Sequence, residues 1–140
     1  MKIHSEQEML DFGKQFAKRV ATQQDPSRTV IELIGDVGAG KTTFVRGLAK
    51  GLGIKEPVTS PSFTISKSYA LPDGKTLTHY DFYRLEDPGL MSEDLTESIN
   101  DPYNITIVEW ANSVSSLLPN DHIKIFINYN EDSTRYIEVK

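Results

Sequence analysis

Gly35-Asp36-Val37-Gly38-Ala39-Gly40-Lys41-Thr42 decides how this chain is read. The stretch fills every fixed position of the phosphate-loop pattern G-x-x-x-x-G-K-[ST]. Glycines let the backbone curl so that successive N–H groups point inward at phosphate oxygens. Lys41 supplies a point charge for terminal phosphates, and Thr42 offers a hydroxyl to Mg²⁺. The residues that follow should open a helix whose N-terminal dipole also favours anions.

Working outward, Thr29 to Ile34 (TVIELI) reads as a mostly apolar strand running into the loop. Thr43 to Leu48 reads as the helix leaving it, with Phe44, Leu48 and Leu52 at helical spacing and Gly53 as its stop. Before the strand, Ser5 to Glu8 has the form of a capping box, and Met9, Phe12, Phe16 and Val20 make one apolar helix face that ends near Gln24 to Ser27. After the helix, the two-proline run Glu56 to Phe63 predicts an ordered loop. Pro72-Asp73-Gly74-Lys75 predicts a turn between two strands, the second running from Thr76 to Tyr83. Alternation puts His79, Asp81 and Tyr83 on one face of that strand and Tyr80 and Phe82 on the other. Pro88 to Asn100 predicts a short acidic helix, Ile105 to Trp110 a buried strand, and Ser113 to Leu118 a second short helix. Ile123, Ile125 and Ile127 alternate, as do Ile137 and Val139, with Asn130 to Ser133 as a hairpin loop between them. The pattern predicts a single α/β domain over residues 1–140, of P-loop NTPase type, with a mixed, mostly parallel central sheet flanked by helices and carrying β-hairpins.

Bulk composition narrows the classes. A chain of 140 residues suits one core, and 38% apolar with 25% charged residues is ordinary for a globular domain. The absence of cysteine excludes disulfides, thiolate zinc sites and thiol catalysis. A net charge of -5 lacks the positive field that drives contact with nucleic-acid phosphates. No apolar run is long enough to cross a bilayer, and the first residues turn acidic where a signal peptide turns apolar, so the expected compartment is the cytoplasm.

A triphosphate site needs carboxylate support for its cation, usually from the end of a neighbouring buried strand. Glu109 closes the apolar run Ile105 to Val108 and fits that place. Asp81 lies near another strand end, where it can position an attacking water or hold a water on the metal; it can equally be a sheet-edge carboxylate. Thr59 and Ser60 stand where many phosphate-loop proteins sense the terminal phosphate, in what can also be a proline-braced surface loop. Trp110, the only tryptophan, can stack beside the site or simply pack. Arg135 and the region of Ser5 are candidates for the base end of a nucleotide. His4, His79 and His122 lie too far apart to show metal-site spacing.

Gly35 to Phe44 (GDVGAGKTTF), Thr59 to Phe63 (TSPSF), His79 to Leu85 (HYDFYRL) and Val108 to Trp110 (VEW), in this order, resemble the TsaE (YjeE) family of bacterial ATPases needed to make threonylcarbamoyladenosine in tRNA. The resemblance runs from about Ser5 to Val139, and its last two blocks are far more specific than the phosphate loop. It implies a protein that binds ATP and Mg²⁺ and hydrolyses ATP slowly. The implied partners are the transferase TsaD and its companion TsaB, with tRNA met only through that complex and no membrane involved. It implies Thr42 and Glu109 as Mg²⁺ ligands and Lys41, Asp81 and Glu109 as the residues of hydrolysis. Gly35, Asp36, Val37, Gly38, Ala39, Gly40, Lys41, Thr42 and Thr43 would surround the phosphates, with Thr59, Ser60 and Trp110 around the nucleotide. Between Leu95 and Tyr103 the chain lacks the glycine-centred helix turn common in that family. A small-molecule kinase of the same architecture and a nucleotide sensor without turnover are the competing readings.

Overall fold

The structure is a computed structural model and describes residues 1–23, 29–36, 40–61, 64–83, 85, 87–130, 132 and 134–140. Val37, Gly38 and Ala39 of the phosphate loop, Ser62 and Phe63, and the helix end expected at Gln24 to Ser27 lie outside the described residues, as do Arg84, Glu131 and Ser133. The elements are β1 (Lys2–Ile3), α1 (Glu6–Ala21), β2 (Val30–Ile34), α2 (Lys41–Gly51), β3 (Ser66–Ala70), β4 (Thr76–Asp81), α3 (Met91–Asn100), β5 (Asn104–Glu109), a 3₁₀ helix (Ala111–Leu117), β6 (Ile123–Tyr129) and β7 (Arg135–Val139). Among them no helix is long and apolar enough to cross a membrane.

One sheet orders them β1-β7-β6-β2-β5-β4-β3. The central strands β6, β2, β5 and β4 run parallel, and the antiparallel pairs β3–β4, β6–β7 and β1–β7 close the two edges. By direction, β1, β6, β2, β5 and β4 point one way and only β3 and β7 the other, the mixed, mostly parallel sheet that the sequence pattern predicts. The two-residue strand β1 was not predicted; it is too short for a periodic signal. It pairs with β7, and the Met1 ammonium donates to Ile137 O at 2.8 Å, so the two ends of the chain lie side by side.

Helix α1 forms on its apolar stripe, with Met9, Phe16 and Val20 buried and Phe12 packed at the rim. Its cap differs slightly from a capping box. Glu8 N–H donates to Ser5 Oγ at 3.1 Å, but the Glu8 carboxylate accepts from His4 N–H at 2.8 Å, one residue upstream of the cap. Helix α2 ends in a Schellman motif. Ile54 N–H reaches Ala49 O at 3.0 Å and Gly53 N–H reaches Lys50 O at 3.1 Å, with Gly53 at φ 87°.

The two helices meet through glycine. A Cβ added at Gly47 would lie 2.3 Å from Leu10 O, and one at Gly13 would lie 2.5 Å from Phe44 O, so backbone touches backbone. Phe12, Phe16 and Phe44 pack as a triangle beside this contact, with centroids 5.7 to 6.2 Å apart. This face of the sheet carries the larger core, with Ile31, Leu33, Leu77, Ile107, Ile125 and Ile137.

On the opposite face, Tyr80, Phe82, Val108, Leu95 and Val114 form a smaller core under α3 and the 3₁₀ helix. Leu77 on one face and Tyr80 with Phe82 on the other match the alternation read for β4. Several boundaries differ from the sequence reading. Strand β4 stops at Asp81 instead of Tyr83, because the Asp81 carboxylate accepts Tyr83 N–H at 2.9 Å and turns the chain. Helix α3 starts at Met91, after a turn at Pro88 and Gly89. Strand β5 ends at Glu109, since Trp110 takes the left-handed conformation at φ 55°. The short helix after it is 3₁₀ and begins at Ala111.

Candidate functional site

Three parallel strands end next to one another. Asp81 at the end of β4 registers with Glu109 at the end of β5, and Glu109 registers with Leu33 near the end of β2. In open α/β sheets, ligands bind outside these carboxyl ends. The loop from Gly35 to Gly40 leaves β2 at this point and feeds α2. Gly40 stands at φ 102°, a conformation costly for other residues, and its carbonyl accepts the first helical bond, from Phe44 N–H, at 3.0 Å. Gly40 offers no side-chain acceptor to the first turn of α2, whereas α1 is capped by Ser5. The first-turn N–H groups of α2, with Thr42 and Thr43 half-buried there, thus suit an outside anion.

Lys41 is a buried cation, 6% exposed. Its amine donates to Gly35 O at 2.6 Å, lies 3.7 Å from Glu109 Oε1 and sits 4.3 Å from the centre of the Trp110 ring. A carbonyl, a carboxylate and an aromatic face together compensate its lost hydration. Glu109 is 4% exposed, and its other oxygen, Oε2, is 2.5 Å from His79 Nε2. His79 is fully buried. Tyr83 packs on Trp110 with centroids 4.8 Å apart.

Two non-glycine residues among those described have positive φ, Ile65 and Trp110, and both border this site. Trp110 follows Glu109 directly, and Ile65 O accepts Asp81 N–H at 2.8 Å. Left-handed backbone at such residues costs of order 1–3 kcal/mol each and clusters at functional sites.

The structure therefore brings Gly35, Lys41, Glu109 and Trp110 into contact and sets Asp81 in the adjoining register position. Asp36 is exposed beside them. Thr59 and Ser60 are exposed on their loop, and Thr59 is engaged with β3: Lys67 Nζ donates to its hydroxyl, and Tyr69 OH bonds its backbone at 3.4 Å. Arg135 lies elsewhere, in a cleft of about 380 Å³ that runs from Gly40 and Thr43 to Ile3, His4, Ser5, Glu6 and Met9. Its guanidinium stacks 3.8 Å over the Tyr129 ring. His122 is apart from both places, bridging Pro119 O and Glu32. Among the described residues no group of three His, Cys, Asp or Glu could hold a metal by itself.

Spacing alone left His79 among weak metal candidates and did not single out Lys67. The signal for His79 was present: strand alternation places it on the Asp81 face, toward Glu109.

A strand, a glycine turn and a helix with a buried lysine, backed by a carboxylate from the neighbouring strand end, define an α/β domain of the P-loop type. The family model described as "Threonylcarbamoyl adenosine biosynthesis protein TsaE" matches residues 3–137. The chain belongs to the TsaE family. It is 38% identical over 141 residues to the tRNA threonylcarbamoyladenosine biosynthesis protein TsaE of Haemophilus influenzae, covering 98% of this chain and 85% of that protein. It is 42% identical over 128 residues to the protein of the same name from Bacillus subtilis, covering 89% and 76%. The crystal structure of Bacillus subtilis YdiB superposes with a TM-score of 0.73 at 35% identity, over 98% of this chain and 80% of that one.

Proposed function

We propose that this chain is a Mg²⁺-dependent ATPase of tRNA threonylcarbamoyladenosine biosynthesis, turning over slowly and acting with TsaD and TsaB. The observation that carries the reading is the convergence of Lys41 and Glu109, 3.7 Å apart and both buried, on the open first turn of α2. Family membership supplies the pathway, and the relatives' names supply its product.

In this reading the loop from Gly35 to Thr43 cradles the phosphates through backbone N–H groups. Lys41 leaves the Gly35 carbonyl and Glu109 to meet terminal phosphate charge. The residues suit a divalent cation: a hydroxyl at Thr42 and a buried carboxylate at Glu109, both hard oxygen donors, flank the place where phosphates would lie. Thr42 and Glu109 would hold Mg²⁺, which when bound neutralises charge on the phosphate oxygens. Asp81, held by its own turn beside Glu109, orients the attacking water. The cleft between Arg135 and Ser5 receives the adenosine end, with Arg135, braced by its stack on Tyr129, in its wall. Thr59 would then have to leave Lys67 and Tyr69 of β3 to reach the terminal phosphate, so the loop it shares with Ser60 is assigned a move on binding.

ATP hydrolysis measured with and without TsaD and TsaB tests the reading. Turnover is expected in at least one condition, and Lys41→Ala should abolish it. If neither condition gives turnover that depends on Lys41, the assignment as an ATPase fails.

A further inference from the structure

We propose that His79 is a positioning residue for Glu109: by holding one carboxylate oxygen it fixes the rotation of the carboxylate, keeps the other oxygen turned toward the phosphate-loop lysine, and so sets the affinity of the site for its divalent cation. The inference rests on the nucleotide-site reading above and extends it to a residue outside the loop.

His79 and Glu109 come from neighbouring strands, thirty residues apart in sequence. His79 registers with Ile107, so Glu109 is its diagonal neighbour on the same face. The carboxylate has two oxygens with different fates. Oε2 is bonded to His79 Nε2 at 2.5 Å, whereas Oε1 is 3.7 Å from Lys41 Nζ, beyond hydrogen-bond length. The lysine attracts the carboxylate without fixing its rotation; the imidazole fixes it and leaves Oε1 as the oxygen turned toward the loop.

The tautomer follows from burial. His79 Nδ1 is buried, and no described residue lies within hydrogen-bond reach of it. A proton on Nδ1 would be an orphaned buried donor, which native structures rarely tolerate. Any arrangement in which Nε2 accepts from Glu109 puts the proton there. The ring is therefore protonated on Nε2 and donates to Glu109. Burying an imidazole with one nitrogen unpaired is unfavourable, and the only described hydrogen bond that offsets it is this charge-assisted one. A residue needed only to fill the space would be apolar. Partners that orient a metal-ligating side chain typically change metal affinity by about 10- to 100-fold when removed.

The test uses the full chain with His79→Leu and His79→Gln. Calorimetry of ADP binding is run across a Mg²⁺ series and again in EDTA, with thermal melts to establish folding. His79→Leu should shift the Mg²⁺ dependence by about 10- to 100-fold while ADP binding in EDTA stays at the wild-type value. His79→Gln, whose Nε2 amide can donate from nearly the same place, should recover most of the loss. In the metal-free wild type, imidazole ¹⁵N shifts should report a proton on Nε2 and a bare Nδ1. If His79→Leu melts too low for binding work, His79→Asn replaces it, because its shorter amide falls short of the Nε2 position. A folded His79→Leu or His79→Asn with wild-type Mg²⁺ dependence would overturn the proposal, as would equal losses in His79→Leu and His79→Gln, or a proton found on Nδ1. Wild-type chain that binds no ADP at any Mg²⁺ concentration would overturn the nucleotide-site reading as well, a result distinct from those.

Discussion

On one side of the sheet, α1 and α2 are joined by shape: glycine against backbone, three phenylalanines, and a run of buried aliphatic side chains. On the other side, α3 is held largely by direction. A hydrogen-bond chain runs from Ser68 to Thr78 (3.1 Å), to Asn104 (3.2 Å), to Ser98 (2.5 Å) and on to Thr106 (2.8 Å), crossing from β3 through β4 and β5 into the helix. Tyr80 OH adds a bond to the Asp94 carboxylate, and only Leu95 and Ser98 of α3 are buried. The helix that begins at Lys41 is thus located by steric contact that no single side chain supplies, while α3 depends on a few bonds that can be removed one at a time. A site that must place an amine within ångströms of a carboxylate sits on the sterically fixed side.

That contrast can be broken most severely at Gly47. Gly47→Ala drives a methyl group into Leu10 O and should cost on the order of 3 kcal/mol, with α2 displaced and ADP affinity reduced with it. Denaturant melts paired with calorimetry check both parts. If ADP binding survives a large loss of stability, the helix contact does not position the site. Asn104→Ala tests the other face. It takes one partner each from Ser98 and Thr78, which keep their bonds to Thr106 and Ser68, and should cost about 1–3 kcal/mol while leaving ADP binding unchanged. A parallel loss of binding would show that the two faces are not independent.

Tyr80→Phe gives the smallest effect, about 1 kcal/mol at neutral pH, and sharpens the comparison through pH. Burial, and next the hydrogen bond to Asp94, push the Tyr80 phenol well above its ordinary range. The neutral phenol is the form the native state favours. Its contribution is complete below about pH 10, where an unfolded tyrosine titrates, and is lost as pH rises through the higher folded value. The stability gap between wild type and Tyr80→Phe should therefore narrow in strongly alkaline solution, as followed by melts across pH. A gap that stays constant would remove Tyr80 from the account of how α3 is held.

Much of the half around the loop from Gly35 to Thr42 was legible because its signals are local. The strand before Gly35, the helix after Lys41 and the stripe of α1 are each visible within about a dozen residues. Glu109 was legible as the acid closing an apolar run. What was not legible depended on distance along the chain or on the absence of a side chain. Gly13 and Gly47 carry no side chain to signal a contact, and their place becomes visible only where the helices touch. The joining of Ser5 and Arg135 in one cleft requires β1 to pair with β7, across nearly the whole sequence. The His79–Glu109 bond joins two strands whose pairing no periodicity reveals. Trp110 looked like the last residue of a strand, and its left-handed backbone belongs to the turn that aims it over Lys41.

That turn has a practical consequence. The chain holds one tryptophan, and an ammonium group sits 4.3 Å from the centre of its indole ring. Indole emission responds to a charge placed so near, so the molecule carries a built-in optical gauge of where its lysine points. Any ligand that draws the lysine away should be visible by steady-state light in a cuvette, with no dye attached and no background from a second fluorophore of the same kind.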